Sequence, residues 1–334
     1  MKRSAIAMEL AEMAELQKIL IQNEQRFATE ISDTEIKHRF QNMLSEDEKN
    51  MTVIESVMVQ FGVKAKPRDL IQKMIIHTQK FLEGDDLKLF QKVGQHELMK
   101  HNQVMTGMLI HKCSQVMGAD VALTINPINF INMENQAHQE QLKGVIEVLG
   151  TREITGCEPD QGLWGRVQDA VSSLSGLFGN PVSQSSVKQL LDVRNLIRLD
   201  HKKIDTLFSE INNTDDNEKL GELFSQLYQD LICHAKAEKS IIYPAIRNAY
   251  GVGKTKDLFN AQLQMENILK EIKELQPSDS LFMEKLKNLQ EIVEGHNELV
   301  EKGLFPAISS HLSQKEQEQL GKDFLSKKRK IQEN

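Results

Sequence analysis

The sequence is poor in the residues that strand-rich proteins use for turns and for packing. Only 18 glycines and 7 prolines occur in 334 residues, and aromatic side chains make up 5% of the chain. Strand-rich proteins need many turns and many aromatic or β-branched positions, so this composition favours an all-α fold. Hydrophobic residues account for 40% of the chain, which is enough for the roughly two domains that the length suggests.

Long apolar runs are also missing. No segment approaches the roughly eighteen consecutive apolar residues that a membrane-spanning helix requires. The first 18 residues carry a charged side chain every few positions, whereas a secretion signal needs an unbroken apolar stretch. We therefore expect a soluble protein without a membrane span.

Cysteine is scarce, since Cys113, Cys157 and Cys233 are far apart and odd in number. They provide neither a disulfide framework nor a cysteine zinc site, so the cytoplasm is the expected location. With 41 basic and 48 acidic residues the net charge is −7, which argues against a nucleic-acid partner. We expect the basic run KKRK at 327–330 to be a solvated end of the chain rather than a nucleic-acid patch.

Glycine, serine and proline gather between two halves that have helical periodicity. From this we expect a helical bundle at 1–150, a linker at 151–185, a second bundle at 186–312, and a C-terminal helix with a basic tail at 313–334. The linker contains an apolar set at helical spacing, which predicts a short docked helix: Trp164, Val167, Val171, Leu174 and Leu177.

Apolar residues recur at three- and four-residue steps through most of both halves, as on the buried face of an amphipathic helix. In the first half this pattern predicts helices at about 3–30, 33–62, 67–83, 86–118 and 128–149. In the second half it predicts helices at about 186–212, 216–249, 253–276, 278–310 and 313–326. The short connections in the second half favour an up-down-up-down four-helix bundle.

An internal repeat marks the second half. Residues 234–244 read HAKAEKSIIYP and residues 296–306 read HNELVEKGLFP, so in both segments a histidine precedes acidic residues and a proline follows ten positions later. His234 and Glu238 are four residues apart, and they therefore lie on one face of a helix about one turn apart. Both side chains can direct a ligand atom at the same point.

His201 adds a third histidine from a different predicted helix. It shares the helical spacing of Ile197, Ile204 and Phe208, and we expect it to point inward. A single histidine on an apolar face is usually a packing residue. Three histidines on three helices of one bundle, with carboxylates nearby, are instead the ligand types that suit non-haem iron or manganese.

These segments resemble the hemerythrin-like (HHE cation-binding) family over about 186–310. The resemblance implies an up-down-up-down four-helix bundle that binds a non-haem di-iron centre, with histidines at the iron ends and two bridging carboxylates. By position, His201, His234 and His296 match the family histidines. Glu238 and Glu301 match the bridging carboxylates.

The third helix of the second half departs from the family, because it offers AQLQMENILKEI where the family supplies histidines. Glu266 is in phase with the apolar residues of this helix, so it can turn inward as a replacement ligand. The alternative is that Glu266 is solvated and that the site is incomplete. Tyr243 is five residues after Glu238, and we expect a core aromatic off the ligand face.

The first half contains a weaker pattern of the same kind. Glu134 and His138 form Glu-x-x-His, the pair by which ferritin-like di-iron proteins project ligands into a bundle. Glu46, Glu97 and His101 lie on helices before it. The pattern predicts a ferritin-like bundle with a second metal site, although such a pair also arises by chance in charged helices. The other histidines are expected to be surface or packing residues: His38, His77, His96, His111 and His311.

The sequence therefore predicts a non-haem di-iron protein that binds or senses O2, peroxide or NO, or that handles iron. Two alternatives stay open. The chain can be a structural or interaction protein with degenerate metal sites, or its N-terminal bundle can be a ferritin-like iron oxidase or store. The sequence is compatible with a homo-oligomer, and it leaves open whether the chain is an enzyme.

Overall fold

The computed structural model describes residues 2–160, 162–178 and 191–333, which form helices and connecting turns without any β-strand. The chain divides into two compact units, unit 1 (Met1–Gln184) and unit 2 (Ser185–Asn334). The predicted all-α fold of two helical bundles is confirmed for the described residues. Part of the predicted linker, and the side chain of Leu177, lie outside what the structure describes.

The bounds of the helices in unit 1 agree with the sequence periodicity except at α6, which runs six residues beyond its predicted end at 149. Two further helices flank α6 in the sequence, α5 before it and α7 after it. The helices are α1 (Lys2–Glu30), α2 (Thr34–Phe61), α3 (Asp69–Glu83), α4 (Leu89–Met117), α5 (Ala119–Ile125), α6 (Ile128–Thr155) and α7 (Leu163–Phe178).

Capping residues explain several of these boundaries. Asp33 precedes α2, and its side chain accepts a hydrogen bond from the backbone N–H of Ile36, which would otherwise have no partner in the first turn. Gly62 ends α2 with φ of 77°, a left-handed conformation that favours glycine because it has no Cβ. In unit 2, the side chains of Asp192 and Asp216 cap helices in the same way.

The four long helices of unit 1 form a bundle with one crossover. Only three residues connect α1 to α2, so these two helices are antiparallel neighbours. Hydrogen bonds join His96 to Glu24 and Gln103 to Gln17, so α4 is antiparallel to α1 as well. It follows that α2 and α4 run in the same direction. The chain returns between them through the long connection that contains α3.

Helix α7 lies within the predicted linker and packs on α6. Gly144 of α6 permits a close approach, because a Cβ at this position would meet the side chains of Val167 at 2.7 Å and Trp164 at 2.9 Å. Trp164 also stacks beneath the guanidinium of Arg39, 3.8 Å from its centroid. These contacts make the single tryptophan of the chain a reporter of packing in unit 1.

Unit 2 consists of α-helices, two of which continue through π-helical turns. The elements are α8 (Val193–Asn212), α9 (Asn217–Ala237), the first π turn (Glu238–Ile242), α10 (Tyr243–Tyr250), α11 (Val252–Lys273), α12 (Ser280–Leu299), the second π turn (Val300–Leu304), α13 (Phe305–His311) and α14 (Gln314–Glu333). The periodicity predicted uninterrupted helices at 216–249 and 278–310, and the π turns correct both.

The π turns have a local cause in the repeated segments. Pro244 and Pro306 each follow a π turn at the start of the next helix. Proline has no N–H, and its ring clashes with the carbonyl four residues earlier in an α-helix. A π turn widens the helix at this point and relieves the clash, and such turns are often found at functional sites. The first π turn begins at Glu238, and the second contains Glu301.

The four main helices of unit 2 are antiparallel neighbours, and two apolar layers fill the bundle. One layer includes Leu207, Phe208, Leu227 and Phe282, and the other includes Ile197, Tyr243, Leu258 and Phe305, all with exposure of 2% or less. The predicted histidines lie between these layers. Apolar packing on both sides therefore keeps bulk water from the polar level in the middle of the bundle.

Helix α14 packs on this bundle and corrects the prediction of a solvated basic tail. The helix was expected to end near residue 326, but it continues to Glu333. Lys328 is only 4% exposed. Its Nζ lies 2.6 Å from Oδ1 and 2.8 Å from Oδ2 of Asp200, a buried residue of α8. One of the four charged residues of the KKRK run, Lys328, thus belongs to the interior of unit 2.

Close packing explains how α14 reaches this position. Gly321 lies against the start of unit 2, where a Cβ would come within 2.0 Å of the carbonyl oxygen of Leu191. Phe324 is fully buried, and its ring centroid lies 6.0 Å from that of His234. Since no larger residue fits at position 321, glycine allows the whole helix to approach and Lys328 to enter the core.

We expect the substitution Lys328→Met to lower the free energy of unfolding of unit 2 by about 3–5 kcal/mol, because it leaves the buried Asp200 carboxylate without its ammonium partner. All three tyrosines are in unit 2, so their near-ultraviolet circular dichroism follows this unit during urea unfolding. Lys322→Met, on the exposed face of the same helix, is the matched control. Equal stability of the two variants would contradict the role given to the Lys328–Asp200 pair.

Candidate metal centre

Three of the predicted ligands meet in the polar level of unit 2. His201 of α8, His234 of α9 and Glu238 of the first π turn are all buried, and each offers one ligand atom within 4.8 Å of the others. The apolar stripe of α8 turns His201 inward, and the four-residue spacing places His234 and Glu238 on one face. Two imidazoles and one carboxylate are the donors of the facial triad that binds non-haem iron.

Carboxylates orient both imidazole rings from behind. Asp200 Oδ2 lies 2.9 Å from Nδ1 of His234, and Glu301 Oε1 lies 2.8 Å from Nδ1 of His201. The Nε2 atoms of both rings are buried and have no hydrogen-bond partner among the residues that the structure describes. A histidine that binds a metal usually donates its second ring N–H to a carboxylate in this way. The donor atoms therefore fit a metal ion.

Glu238 lies at the centre of the polar level and contacts several of its side chains. Its Oε2 accepts hydrogen bonds from Tyr243 Oη at 2.9 Å and from Gln262 Nε2 at 2.6 Å, and it lies 3.2 Å from Nε2 of His296. Its Oε1 is buried and has no hydrogen-bond partner within the described part of the chain. Because one carboxylate oxygen is held by several groups while the other is not, Glu238 has one oxygen available for a cation.

Burial and charge set the protonation of these groups. Burial opposes the charged form of Glu238, but the charge of His234, whose Nε2 lies 3.4 Å from Glu238 Oε2, and the contact with His296 outweigh it and hold the pKa of Glu238 well below its usual value. Burial also opposes the charged form of His234, yet Glu238 and Asp200 raise its pKa to about 9. Burial and the neighbouring His234 lower the pKa of His201 to about 4. His201 is therefore a neutral imidazole near neutral pH, the form that binds metal ions.

Two of the predicted ligands face other partners in this structure. Glu266 Oε1 lies 2.6 Å from Nζ of Lys239, at the edge of the bundle. Glu301 contacts the ring of His201, and its side chain is 39% exposed. The third-helix residue that reaches the polar level is Gln262, which is fully buried and donates to Glu238 and to Tyr243.

Sequence reasoning misplaced Tyr243, favoured Glu266 over Gln262 on the third helix, and missed Asp200 and Lys328. Tyr243 is a core aromatic as expected, but it is not off the ligand face. A π turn bonds residue i to residue i+5, so the side chain five positions after Glu238 returns above it. The signal for the π turn was the proline ten positions after each histidine. Asp200 and Lys328 gave no local signal, since 128 residues separate them.

A small cavity adjoins the histidines of unit 2. It has room for about 10 Å³ beside His234 and His296, and its apolar walls include Leu231, Met265 and Val293. This volume is close to that of one water-sized molecule. This end of the polar level therefore has room for a ligand no larger than about one water molecule.

Unit 1 contains a second buried polar cluster, with Lys100 at its centre. Lys100 Nζ lies 3.0 Å from Glu24 Oε1, 3.2 Å from Asn135 Oδ1 and 3.0 Å from His138 Nδ1, and it donates to Asp47 Oδ2 at close range. All five residues are buried. The ligand atoms of Glu24, Asp47 and His138 lie within 4.8 Å of one another, and the ammonium group bridges all three.

The weaker predicted site is only partly brought together. Glu46 Oε2 lies 2.7 Å from His138 Nε2, as a shared site would require. Glu134 is half-buried next to Asn50, and burial together with the charge of Glu46 raises the pKa of Glu134 to about 7.

Glu97 and His101 lie apart from this cluster. Both contact Nε2 of Gln139, at 3.0 Å and 3.1 Å. His96, expected to be a surface or packing residue, is fully buried, and its Nε2 lies 3.2 Å from Glu24 Oε1. The missed acid Glu24 is in phase with the buried Leu20 and Phe27, so its position on an apolar stripe was the available signal.

No helix in the described part of the chain combines the length and the apolar character that a membrane crossing would need.

Comparison with known proteins gives two matches. Residues 192–308 match the hemerythrin HHE cation-binding domain. Over 332 residues the chain is 44% identical to a protein of Nostoc sp. (strain PCC 7120) named DNA nickase, and the match covers 99% of this chain and 95% of that protein. No solved structure matches the chain.

We expect His96 to make unit 1 sensitive to acid. Burial, and next the charge of Lys100, lower the pKa of His96 to about 3, whereas in the unfolded chain it titrates near 6.5. Unfolding therefore takes up a proton at His96 below pH 6.5, and the stability that depends on its neutral form falls as the pH decreases from there. His96→Gln cannot titrate but keeps a donor for Glu24. Between pH 7 and pH 5, the wild type should lose about 2 kcal/mol more than this variant.

Trp164 fluorescence reports the unfolding of unit 1 in urea at each pH. Glu24, whose pKa burial and the charge of Asp47 raise to about 8, titrates in both proteins, so the comparison isolates His96. Parallel stability curves for the two proteins would show that His96 takes up protons equally in the folded and the unfolded chain, and would contradict a lowered pKa of His96.

Proposed function

The chain belongs to the family of the Nostoc DNA nickase and contains a hemerythrin HHE cation-binding domain, and from this premise we propose that unit 2 holds a non-haem iron centre. The observation that carries the proposal is the group formed by His201, His234 and Glu238. Their free ligand atoms converge inside the bundle, and a carboxylate orients each imidazole ring from behind. These three residues would hold the first iron ion.

We also propose a second ion, which makes the centre di-iron. Glu238 presents one oxygen toward His296, whose Nδ1 has no hydrogen-bond partner in the described ranges. A carboxylate between two sets of histidines can bridge two ions, as in other bundles that hold di-iron centres. Glu301 then serves to orient His201, and Glu266 stays with Lys239 outside the ligand set.

The surroundings favour a small ligand for this centre. Bound iron would supply Lewis acidity and one-electron redox chemistry. The protein itself contributes exclusion of bulk water, because Glu238 is fully buried and both histidines are nearly so. The small cavity beside His234 and His296 has room for about one water-sized molecule, which favours a very small ligand such as O2 or NO over a larger one. Binding or sensing of such a molecule, or of peroxide, is the function that the geometry supports best.

The full-length protein should contain about two iron atoms per chain after aerobic purification or reconstitution. His234→Ala and His296→Ala should each lose most of this iron, because each removes a donor from the polar level. The matched controls are His77→Ala and His311→Ala, two histidines with no metal-ligand partner expected from the sequence. Metal analysis measures all five proteins. Equal iron content in the four variants would refute a ligand role for the repeated histidines.

The name of the Nostoc relative favours a second candidate function, which is cleavage of one strand of DNA. The net charge of −7 argued against a nucleic-acid partner, and identity over nearly the whole chain is the reason to test one. A DNA backbone cannot touch Glu238, which has no exposed surface. We therefore propose that nicking by this chain depends on peroxide, or on O2 together with an external reductant, from which the iron centre would generate a diffusible oxidant of the DNA sugar, and not on contact between iron and phosphate.

Supercoiled plasmid DNA tests this candidate. The full-length protein should convert it to the open-circular form in the presence of peroxide, or of O2 together with a reductant such as ascorbate, and His234→Ala should lose this activity. Because oxidative cleavage damages the sugar, DNA ligase should fail to reseal most of the nicks. Ligatable nicks that persist in His234→Ala would place the nuclease chemistry away from the metal centre. Plasmid that stays supercoiled would refute the second function.

A further inference from the structure

We propose that Lys100 is the resident cation of unit 1, where its ammonium group stands in a site of metal-ligand character and keeps metal ions out. Removing this ammonium group would convert the cluster into a site for one divalent transition-metal ion. The inference does not rest on the function proposed for unit 2.

The residues around Lys100 have the composition of a metal site. Glu24, Asp47 and His138 come from α1, α2 and α6, and their ligand atoms lie within 4.8 Å of one another at fully buried positions. Two carboxylates and an imidazole suit zinc, iron or manganese. Oε2 of Glu24 is buried and has no hydrogen-bond partner in the part of the chain that the structure describes, so a further ligand atom is present.

The ammonium group makes the contacts that an ion in this cluster would make. Lys100 comes from α4 and reaches acceptors on each of the other three long helices of the bundle, α1, α2 and α6. An ammonium group has three donors and no acceptor, and here it is surrounded by two carboxylates, the carbonyl oxygen of Asn135 and a ring nitrogen. The ammonium group of Lys100 thus provides the positive charge, and makes the contacts to these acceptors, that a bound metal ion would otherwise provide.

The imidazole of His138 is fully engaged by this arrangement. Because an ammonium group only donates, His138 Nδ1 must accept the bond from Lys100 Nζ at 3.0 Å. The proton of the ring is then on Nε2, which donates to Glu46 Oε2 at 2.7 Å. Neither ring nitrogen keeps a lone pair for a metal ion while Lys100 is in place.

Charge keeps the ammonium group in position. Burial opposes the charged form of Lys100, but the charges of Asp47 and Glu24 outweigh burial and raise its pKa above the usual value. A divalent ion beside this group would meet a positive charge at close range in a cluster that is shielded from water. Phe27 and Phe40, which pack against each other at 5.0 Å, close the cluster on the side of His96. The ferritin-like metal site expected from Glu46 and His138 therefore does not fit this structure.

Cobalt binding tests the proposal with full-length protein. Lys100→Met keeps the length of the side chain and removes the charge, and Lys143→Met, at an exposed lysine paired with Glu140, is the matched control. Lys100→Met should bind one Co²⁺ ion more than the wild type and show new d–d absorption, while Lys143→Met should match the wild type. An unchanged Co²⁺ stoichiometry in Lys100→Met would overturn the proposal.

The additional ion can be located by combining substitutions. It should persist when Lys100→Met is combined with His234→Ala, which removes a proposed ligand of unit 2, and it should disappear when Lys100→Met is combined with His138→Ala. Loss of the additional ion with His234→Ala would overturn the assignment to unit 1. If unit 2 holds no iron centre, the single variant His234→Ala will contain as much iron as the wild type. That result would leave the additional Co²⁺ ion of Lys100→Met unaffected.

A measurement on the wild type covers the case in which Lys100→Met does not fold. Nitrogen-15 NMR of the imidazole, assigned with His138→Ala, should show an unprotonated Nδ1 and a protonated Nε2 in His138. Addition of Zn²⁺ should leave both signals unchanged, because Lys100 holds the position of the ion. A Zn²⁺-dependent shift of the His138 signals would show that unit 1 binds metal with Lys100 present, and it would overturn the proposal.

Discussion

A chain of buried charges of alternating sign is the interaction on which unit 2 depends. It runs from Glu238 through His234 and Asp200 to Lys328, with links of 3.4 Å, 2.9 Å and 2.6 Å. Each charge would be costly to bury by itself, and each is compensated by the next. Since the four groups lie in the first π turn, α9, α8 and α14, the chain also sets how these elements are rotated about their axes. A turn of any one helix would leave a charge in the apolar interior without a partner.

Periodicity and the internal repeat were enough to predict much of this arrangement. They placed His201, His234, Glu238 and His296 in one bundle, because a histidine on an apolar stripe must point inward. They favoured Glu266 over Gln262 on α11 because Glu266 is in phase with apolar residues, but a glutamate near the inner face can also reach outward to a lysine such as Lys239. They also assumed ideal α-helices, so they did not predict that each π turn rotates the side chains that follow it about the helix axis. Lys328 resembled any terminal lysine until the fold brought α14 against Asp200.

Both units bury negative charge in an apolar interior, and each neutralises it with a different cationic group. In each, carboxylates and imidazoles from several helices gather in an apolar bundle, where negative charge must be neutralised. In unit 2 protonated His234 balances Glu238 and Asp200, and a metal ion that replaces its Nε2 proton would find His201 Nε2 and Glu238 Oε1 without hydrogen-bond partners among the described residues. Unit 1 uses the ammonium group of Lys100, which occupies the acceptors itself. A buried acid such as Glu24 looks like an ordinary surface acid in the sequence, and only the fold reveals which cation faces it.

The residues that stabilise unit 2 extend beyond the end of its match to the hemerythrin HHE domain. The hemerythrin domain ends at residue 308, yet the charge that balances Asp200 comes from residue 328, and Asp200 in turn orients the ring of His234. Helix α14 therefore acts on the proposed iron centre through Lys328 and Asp200, and its Phe324 packs edge-on against the ring of His234. Its influence on His234 is electrostatic as well as steric, because an Asp200 carboxylate shared with an ammonium group attracts the imidazole proton less strongly than a free one. Because Lys328 of α14 thus influences the basicity of His234, a proposed ligand, a substitution far from the proposed ligands in the sequence can change the properties of the centre.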